Sequence, residues 1–465
     1  MNRYISLFII LLCLPIILWG VCSILPTFDD YTTLQSPQFT SPWSTQLLPN
    51  DSFWRPWDYL FGCFLGRHTD MFPGLNHILI ILGHTVNTLL VFAICRKLSI
   101  NSLATNIAIF FFFFSPATLG TTLAVDGLNQ TYAQFFGLLA VYCYLYGGKM
   151  LWLWPFFVIL GALAKENGLA WAIIPPLISY AFRKAKNKII VKHITIGLLI
   201  AIVYFVARIT LRVSGSINNE YISLTFLDHI KDFIQLLCYT WLPIDYMSLV
   251  FAPQRNWLLA LLTVILAMPF LFWLIKIVLP LLKKRTVIVL ILCFFILAAP
   301  HLLTLVSIMH NYAALSLAAL LVAVIIQNIN LKAYRMTIAT FVLFLIAAII
   351  TDIHHFLGAR EGGLLSKQLA TEAIIKTEKK VKRAYCINID NNEPKYSSFG
   401  VPSIDAFAWG LSVRHYTSYQ WPEEINDTLI SAENKEKATT IAKHALNNGA
   451  DCVWIVDGKH IVVVK

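Results

Sequence analysis

ISLFIILLCLPIILWGVCSILPTFDD, residues 5–30, decides how the rest of the chain is read. Residues 5–24 form an apolar run of membrane-spanning length, since a hydrocarbon core about 30 Å thick takes about 20 such residues. The run gives way to a pair of carboxylates, Asp29-Asp30, just beyond the bilayer, where acids point to chemistry at its surface. A cleaved leader would close on a small-x-small site, which this stretch lacks, so the run reads as an uncleaved anchor. Val21-Cys22 also lacks the small residue that a lipobox places before its cysteine.

The pattern repeats along the whole chain. Of 465 residues 58% are hydrophobic and only 13% charged, and the mean hydropathy of +0.68 excludes an ordinary soluble domain. The expected fold is an α-helical polytopic membrane protein with a small C-terminal α/β domain. Eleven spans are expected, at 5–24, 74–95, 100–119, 129–147, 150–164, 168–182, 190–211, 256–277, 286–307, 312–328 and 335–355. The net charge of +11 lies in short links between these runs rather than on one basic domain, so it sets topology and does not call for nucleic acid. With a cytoplasmic N-terminus, Arg96-Lys97, Lys149, the basic run Arg183–Lys192, Lys283-Lys284-Arg285 and Lys332–Arg335 all fall on the cytoplasmic side. The nine cysteines are scattered without a CxxC pair; Cys386 and Cys452 are read either as a disulfide or as two separate thiols.

That orientation divides the chain into a transmembrane domain, 1–355, with external loops 25–73 and 212–255, and an extracytoplasmic unit, 356–465. Asp29, Asp30, Arg55, Asp126, Lys165, Glu166 and His310 then share the external face, which is the periplasm in a bacterium or the ER lumen in a eukaryote. Two amphipathic stretches flank them. Trp57, Leu60, Phe61, Phe64 and Leu65 follow Arg55-Pro56 at helical spacing, and Phe226, Leu227, Ile230, Phe233, Ile234 and Leu237 form a second stripe.

Each polar group has a structural reading beside a chemical one. One carboxylate of Asp29-Asp30 can take the proton of an attacking hydroxyl while the other assists; otherwise the pair is a solvated turn. In Ala164-Lys165-Glu166-Asn167-Gly168, Lys165 can neutralise a phosphate, with Glu166 orienting Lys165 or an acceptor; otherwise the two are a weak surface pair. The Arg55 guanidinium can hold two phosphate oxygens or simply lie in the interface. His77 and His84 share a face of the second span with Asn76 and Asn87, and contacts between helices suit them better than a metal. His310 and Tyr312 stand at an external turn within reach of a sugar or phosphate.

Taken in order, Phe53-Trp54-Arg55-Pro56, Leu75-Asn76-His77 through His84 and Asn87, and Ala164-Lys165-Glu166-Asn167-Gly168 resemble the membrane region of GT-C glycosyltransferases. The likeness is to the O-mannosyltransferase-like branch that includes the TPR-bearing mannosyltransferases, and it covers roughly the first 200 residues. The resemblance implies an inverting transferase that takes a sugar from a polyprenyl-phosphate carrier to a glycan, lipid or protein acceptor. It assigns the base to Asp29 or Asp30 and phosphate contacts to Arg55 and Lys165; Glu166, Asp126, His310 and Tyr312 are further substrate-binding candidates read from their own positions. A phosphate leaving group needs cations more than a proton donor, which fits that set. No cofactor is assigned, and a divalent metal stays open.

The chain departs from those relatives in three places. Pro116 is followed by Ala117-Thr118-Leu119-Gly120 where a His-x-Glu pair is common; His310-Asn311-Tyr312 stands where an Arg-x-x-Tyr element is usual; and no TPR repeats follow. The tail instead reads as a helix near 366–382, a strand 384–389, a helix near 433–447 and strands 452–456 and 460–464 across Asp457-Gly458. Two rival readings are a flippase for lipid-linked glycans and a polysaccharide polymerase or ligase with diphosphate-linked donors.

Overall fold

The computed structural model describes residues 4–28, 30–34, 48–49, 54–57, 60–61, 64–65, 74–125, 127–183, 186–211, 225–243, 257–302, 308–329, 334–389, 401–426 and 430–465. Among them every expected apolar run is helical, but four helices are long and apolar enough to cross a membrane: Leu75–Lys97, Asn187–Thr210, Trp257–Leu281 and Arg335–Thr377. A fifth is reached if 102–113 and 116–122, bent by 46° at their junction, form one span. The eleven runs thus resolve into four or five of full length and several shorter apolar helices.

The helices are α1 (Ile5–Val21), α2 (Leu75–Lys97), α3 (Ser102–Phe113), α4 (Leu128–Tyr146), α5 (Trp154–Ala164), α6 (Ile174–Ala181), α7 (Asn187–Thr210), α8 (Phe226–Trp241), α9 (Trp257–Leu281), α10 (Arg285–Leu302), α11 (Asn311–Gln327) and α12 (Tyr334–Thr377). Local chemistry sets several ends. The Asn101 side chain accepts from Ala104 N at 2.9 Å and starts α3. Ser115 and Pro116 stop it, because proline has no N–H to continue the ladder and suits the first turn of the segment that follows. α11 is buried on every side, and its Ala- and Leu-rich faces pack against α3 and α10.

The expected runs 150–164 and 168–182 are only partly α-helical. A 3₁₀ stretch, Gly148–Leu153, leads into α5; Lys165 is extended, and a second 3₁₀ stretch, Glu166–Ala172, leads into α6. Two tight passages in one turn leave no room for a side chain at Gly168, whose Cβ would sit 2.3 Å from the Gly161 carbonyl.

The tail departs from expectation at its first helix. A separate helix near 366–382 was expected, whereas α12 runs unbroken for 44 residues, roughly 66 Å at 1.5 Å per residue. Three glycines weaken the helix, but no proline interrupts it, and packing along its length holds it together. Near its start Trp273 Nε1 of α9 donates to Thr337 Oγ1 at 3.0 Å, and Phe270 lies 4.5 Å from Phe344. Near its end Trp454 Nε1 donates to Thr377 Oγ1, also at 3.0 Å.

The rest of the tail follows the expected pattern. Strands β1 (Arg383–Ile389), β2 (Glu424–Ile425), β3 (Ile430–Ala432), β4 (Cys452–Asp457) and β5 (His460–Val464) form one sheet. β1 pairs parallel with β2 and β3 on one edge and with β4 on the other, and β5 returns antiparallel, Asp457 opposite His460. Leu369, Ala370 and Ala373 of α12 cover one face with Trp454 and Phe407. Ala438, Ala442 and Ala445 of helix α15 (Lys435–Asn447) cover the other. Between β1 and β2 lie the short helices α13 (Ser403–Phe407) and α14 (Leu411–Tyr416). Cys386 and Cys452 are separate buried thiols, since Cys452 registers with Ala384 and Cys386 with Trp454.

Gly168→Ala is expected to destabilise the protein by ~1–3 kcal/mol, the usual range for overpacking. Gly20→Ala, whose Cβ would only touch Phe356 at 3.6 Å, should leave stability within about 0.5 kcal/mol. Thermal unfolding of both variants in detergent checks this, and equal melting temperatures would contradict the packing described.

Candidate functional site

Hydrogen bonds between distant segments assemble one end of the bundle. α1 stops at Val21 beside the start of α2, where a Cβ on Gly74 would lie 2.6 Å from Cys22 Cα. The chain then makes a helical turn, Asp30–Thr33. Asp30 is buried: its Oδ2 accepts from Thr27 N at 2.9 Å and its Oδ1 from Val125 N at 2.6 Å. Its carboxylate therefore pins the acidic segment to the turn that precedes α4. Asp29 and Asp126 lie outside the described residues.

From that turn the contacts continue around the same end. Thr121 Oγ1 donates to Met309 O at 3.4 Å, next to His310, which closes a 3₁₀ turn just before α11. Asn167 Nδ2 donates to Gln130 Oε1 of α4 at 3.2 Å, bringing the Lys165-Glu166 turn alongside. Glu166 in turn meets Arg55: Nη2 donates to Oε2 at 2.7 Å, and Nε donates to Oε2 at 3.0 Å and Oε1 at 3.2 Å. Trp54 N also donates to Glu166 Oε1, and its ring stacks on Tyr204 of α7 at 5.4 Å. Residues 56–57, 60–61 and 64–65 are helical, as expected, with Trp57 stacked on Phe136 and Phe61 tilted against Tyr132 at 4.7 Å. The second amphipathic stretch is also a helix, α8; it lays Phe233 on Phe295 and Trp241 on Phe111.

Asp30, Arg55, Lys165, Glu166 and His310 are thus joined at one end, but the pairing differs from expectation. Glu166 holds Arg55 in a fork, and Lys165, 6% exposed, contributes to its field from beside it. Burial alone would push the Glu166 carboxyl up; the Arg55 guanidinium, its hydrogen bonds and Lys165 bring it below its ordinary value instead. Tyr312 is completely buried rather than presented at the turn. Its hydroxyl lies 2.9 Å from His84 Nδ1 and accepts from Asn87 Nδ2 at 3.0 Å, while His84 Nε2 meets Phe113 O at 3.2 Å. The contacts of His84 and Asn87 run between helices; among the described residues no three His, Cys, Asp or Glu side chains gather as a metal site.

A cavity of about 670 Å³ opens beside this network, between the end of α1, α2, the α3 bend and the middle of α12. Its walls are mainly apolar, including Trp19, Ile81, Phe113 and Phe356, with His84, Asp352 and Arg360 among the polar exceptions. Sequence reasoning passed over Asp352 and Arg360. Asp352 did carry a signal, a carboxyl near the end of an apolar run, where a charge at the centre of a span costs about 2.5–3.5 kcal/mol and is a functional lead. Its Oδ1 is buried with no hydrogen-bond partner among the described residues. The side-chain amides of Asn76, Gln134 and Asn311, on the early turns of α2, α4 and α11, are buried and unpartnered in the same sense.

Comparison with known protein families, with curated proteins and with solved structures returned no match.

The Arg55–Glu166 pair, with side chains 21% and 23% exposed, is expected to show a coupling of about 1–2 kcal/mol in a double-mutant cycle with Arg55→Gln and Glu166→Gln. Because the folded carboxyl titrates low, its stabilisation is complete above the unfolded value of about 4.3 and is lost as pH falls through the lower folded value. The Glu166→Gln deficit should therefore be present at pH 7 and shrink toward pH 3, as followed by denaturant unfolding in detergent. A deficit independent of pH would rule out the ionic contact as its source.

Proposed function

We propose that this protein is a membrane glycosyltransferase, inverting, that transfers one monosaccharide from a polyprenyl-phosphate carrier to a glycan, lipid or protein acceptor. The helical runs cross or line the bilayer with the N-terminus cytoplasmic, and the acidic end faces outward, to the periplasm or the ER lumen. The observation that carries this reading is the apolar cavity whose wall includes Cys22 and Ser23, only a few residues before the acidic pair. A polyprenyl chain suits its walls, entering sideways from the lipid.

Arg360 stands two helical turns beyond Asp352 on α12, toward the tail, and gives the cavity a cation for the carrier phosphate. Lys165 and the Arg55–Glu166 fork add positive character around the turn at 165–168. The unpartnered amides of Asn76, Gln134 and Asn311 offer donors and acceptors of the kind that sugar hydroxyls satisfy. In the reaction an acceptor oxygen attacks the anomeric carbon as the bond to phosphate breaks. Asp29 or Asp30 takes the acceptor proton, and polyprenyl phosphate leaves with the bonding pair. With both Asp30 oxygens bound by backbone N–H groups, Asp29 is the better base and Asp30 the group that places it.

Asp352 and His84 in the cavity are the features that favour a lipid-carrier flippase. Sugar transfer by purified protein in detergent, where no gradient exists, separates the two readings. Monophosphate and diphosphate donors compared in the same assay separate a transferase of this kind from a polymerase or ligase.

Asp29→Asn is expected to lower turnover by ~10²–10⁴-fold, the range for a lost general base, in a protein that still folds. Asp30→Asn should lower both turnover and thermal stability. Full transfer by both single variants would reject the assignment. Arg360→Gln should raise KM for the donor more than it lowers kcat; an unchanged KM would remove Arg360 from the phosphate site.

A further inference from the structure

The acidic segment is held from three sides, and one of them is the tail. Tyr31 is buried between α12 and α14, its ring 5.3 Å from that of His415 and 6.5 Å from that of Tyr416. Its hydroxyl donates to Pro26 O at 2.9 Å and lies 2.6 Å from Ser366 Oγ. A carbonyl can only accept, so the single Tyr31 proton goes to Pro26 and Ser366 must donate its own to the phenol oxygen. Two further bonds run to the tail: Phe28 N donates to Asp405 O at 3.1 Å, and the Tyr419 hydroxyl donates to Leu34 O. At Gly363 of α12 a Cβ would lie 2.5 Å from Leu25 O, so the segment runs directly along the helix backbone.

The backbone at this junction is strained on both sides. Phe28, Ala408, Trp409, Ser418 and Tyr419 all adopt left-handed φ values between 40° and 61°. Non-glycine residues hold such values only where their surroundings over-determine them, and such sites concentrate at functional contacts.

We propose that the 403–419 segment of the tail, together with Ser366 of α12, is the positioning element of the proposed active site: it clamps residues 25–34 and thereby sets the acidic pair at the cavity. Tyr31 is the central positioning residue. Its consequence for activity rests on the transferase reading above; the clamp itself does not.

The test uses the full chain in detergent, with Tyr31→Phe, Ser366→Ala, Ser366→Thr and Tyr419→Phe. Hydrogen–deuterium exchange within residues 25–34 is expected to quicken severalfold in Tyr31→Phe and Tyr419→Phe and less in Ser366→Ala. Peptides of α4 should be unchanged, and Ser366→Thr should restore the wild-type rate. Tyr31→Phe should also lower kcat about tenfold while KM for the donor stays within twofold, a split that general loosening would not produce. Unchanged exchange at 25–34, or equal quickening throughout the bundle, overturns the clamp. If the wild-type chain transfers no sugar, the transferase reading falls and the exchange result alone decides the clamp.

Discussion

The continuity of α12 is the constraint on which the rest of the molecule depends. Its first half packs against α9 through Phe270, Trp273, Phe344 and Thr337. Its middle lines the cavity with Asp352, Phe356 and Arg360, and its last turns are the inner layer of the α/β tail. A helix without a break transmits position along its length, so the apolar packing of the bundle fixes where Ser366 and Gly363 meet the acidic segment. A hinge at residue 355 would leave the tail free to swing and the Tyr31 contacts unsupported.

Around that axis the polar groups are arranged by the cost of burying them. Asp30 answers backbone N–H groups from two segments, Glu166 answers Arg55, and Tyr312 answers His84 and Asn87. Apart from the local bond of Asp30 to Thr27 N, each pairing joins stretches far apart in the chain, and each would be expensive to open from one side only. The amides of Asn76, Gln134 and Asn311 do not follow this rule among the described residues. They sit on the early turns of three helices, at the end of the bundle where the other polar groups gather.

Among its described residues the tail carries no group of His, Cys, Asp and Glu side chains that could hold a metal, and its two buried cysteines stand apart. Its interest lies in its contacts. A mostly parallel sheet is covered on both faces here, and α14 with the Tyr419 turn presents that unit to the segment that follows α1. The side chains through which this small fold meets that segment are those of His415, Tyr416 and Tyr419.

Hydropathy located the apolar helices of the bundle, and amphipathic spacing located α8, because a long apolar helix satisfies its backbone internally while a half-buried one shows a stripe. Alternating and helical periods likewise located β1, β4, β5 and α15 in the tail. The gathering of Asp30, Arg55, Lys165 and Glu166 at one end of the bundle was expected from the order of apolar runs and basic links, which alternate along the chain. Which of them touch was not legible, because Arg55 meets Glu166 across 111 positions and Tyr31 meets Ser366 across 335. Partner choice at such distances is decided by how helices pack, not by anything within a window of sequence. The same holds for α12: its glycines and charges read locally as a break between two helices, and only the surfaces packed along both of its halves make one helix of it.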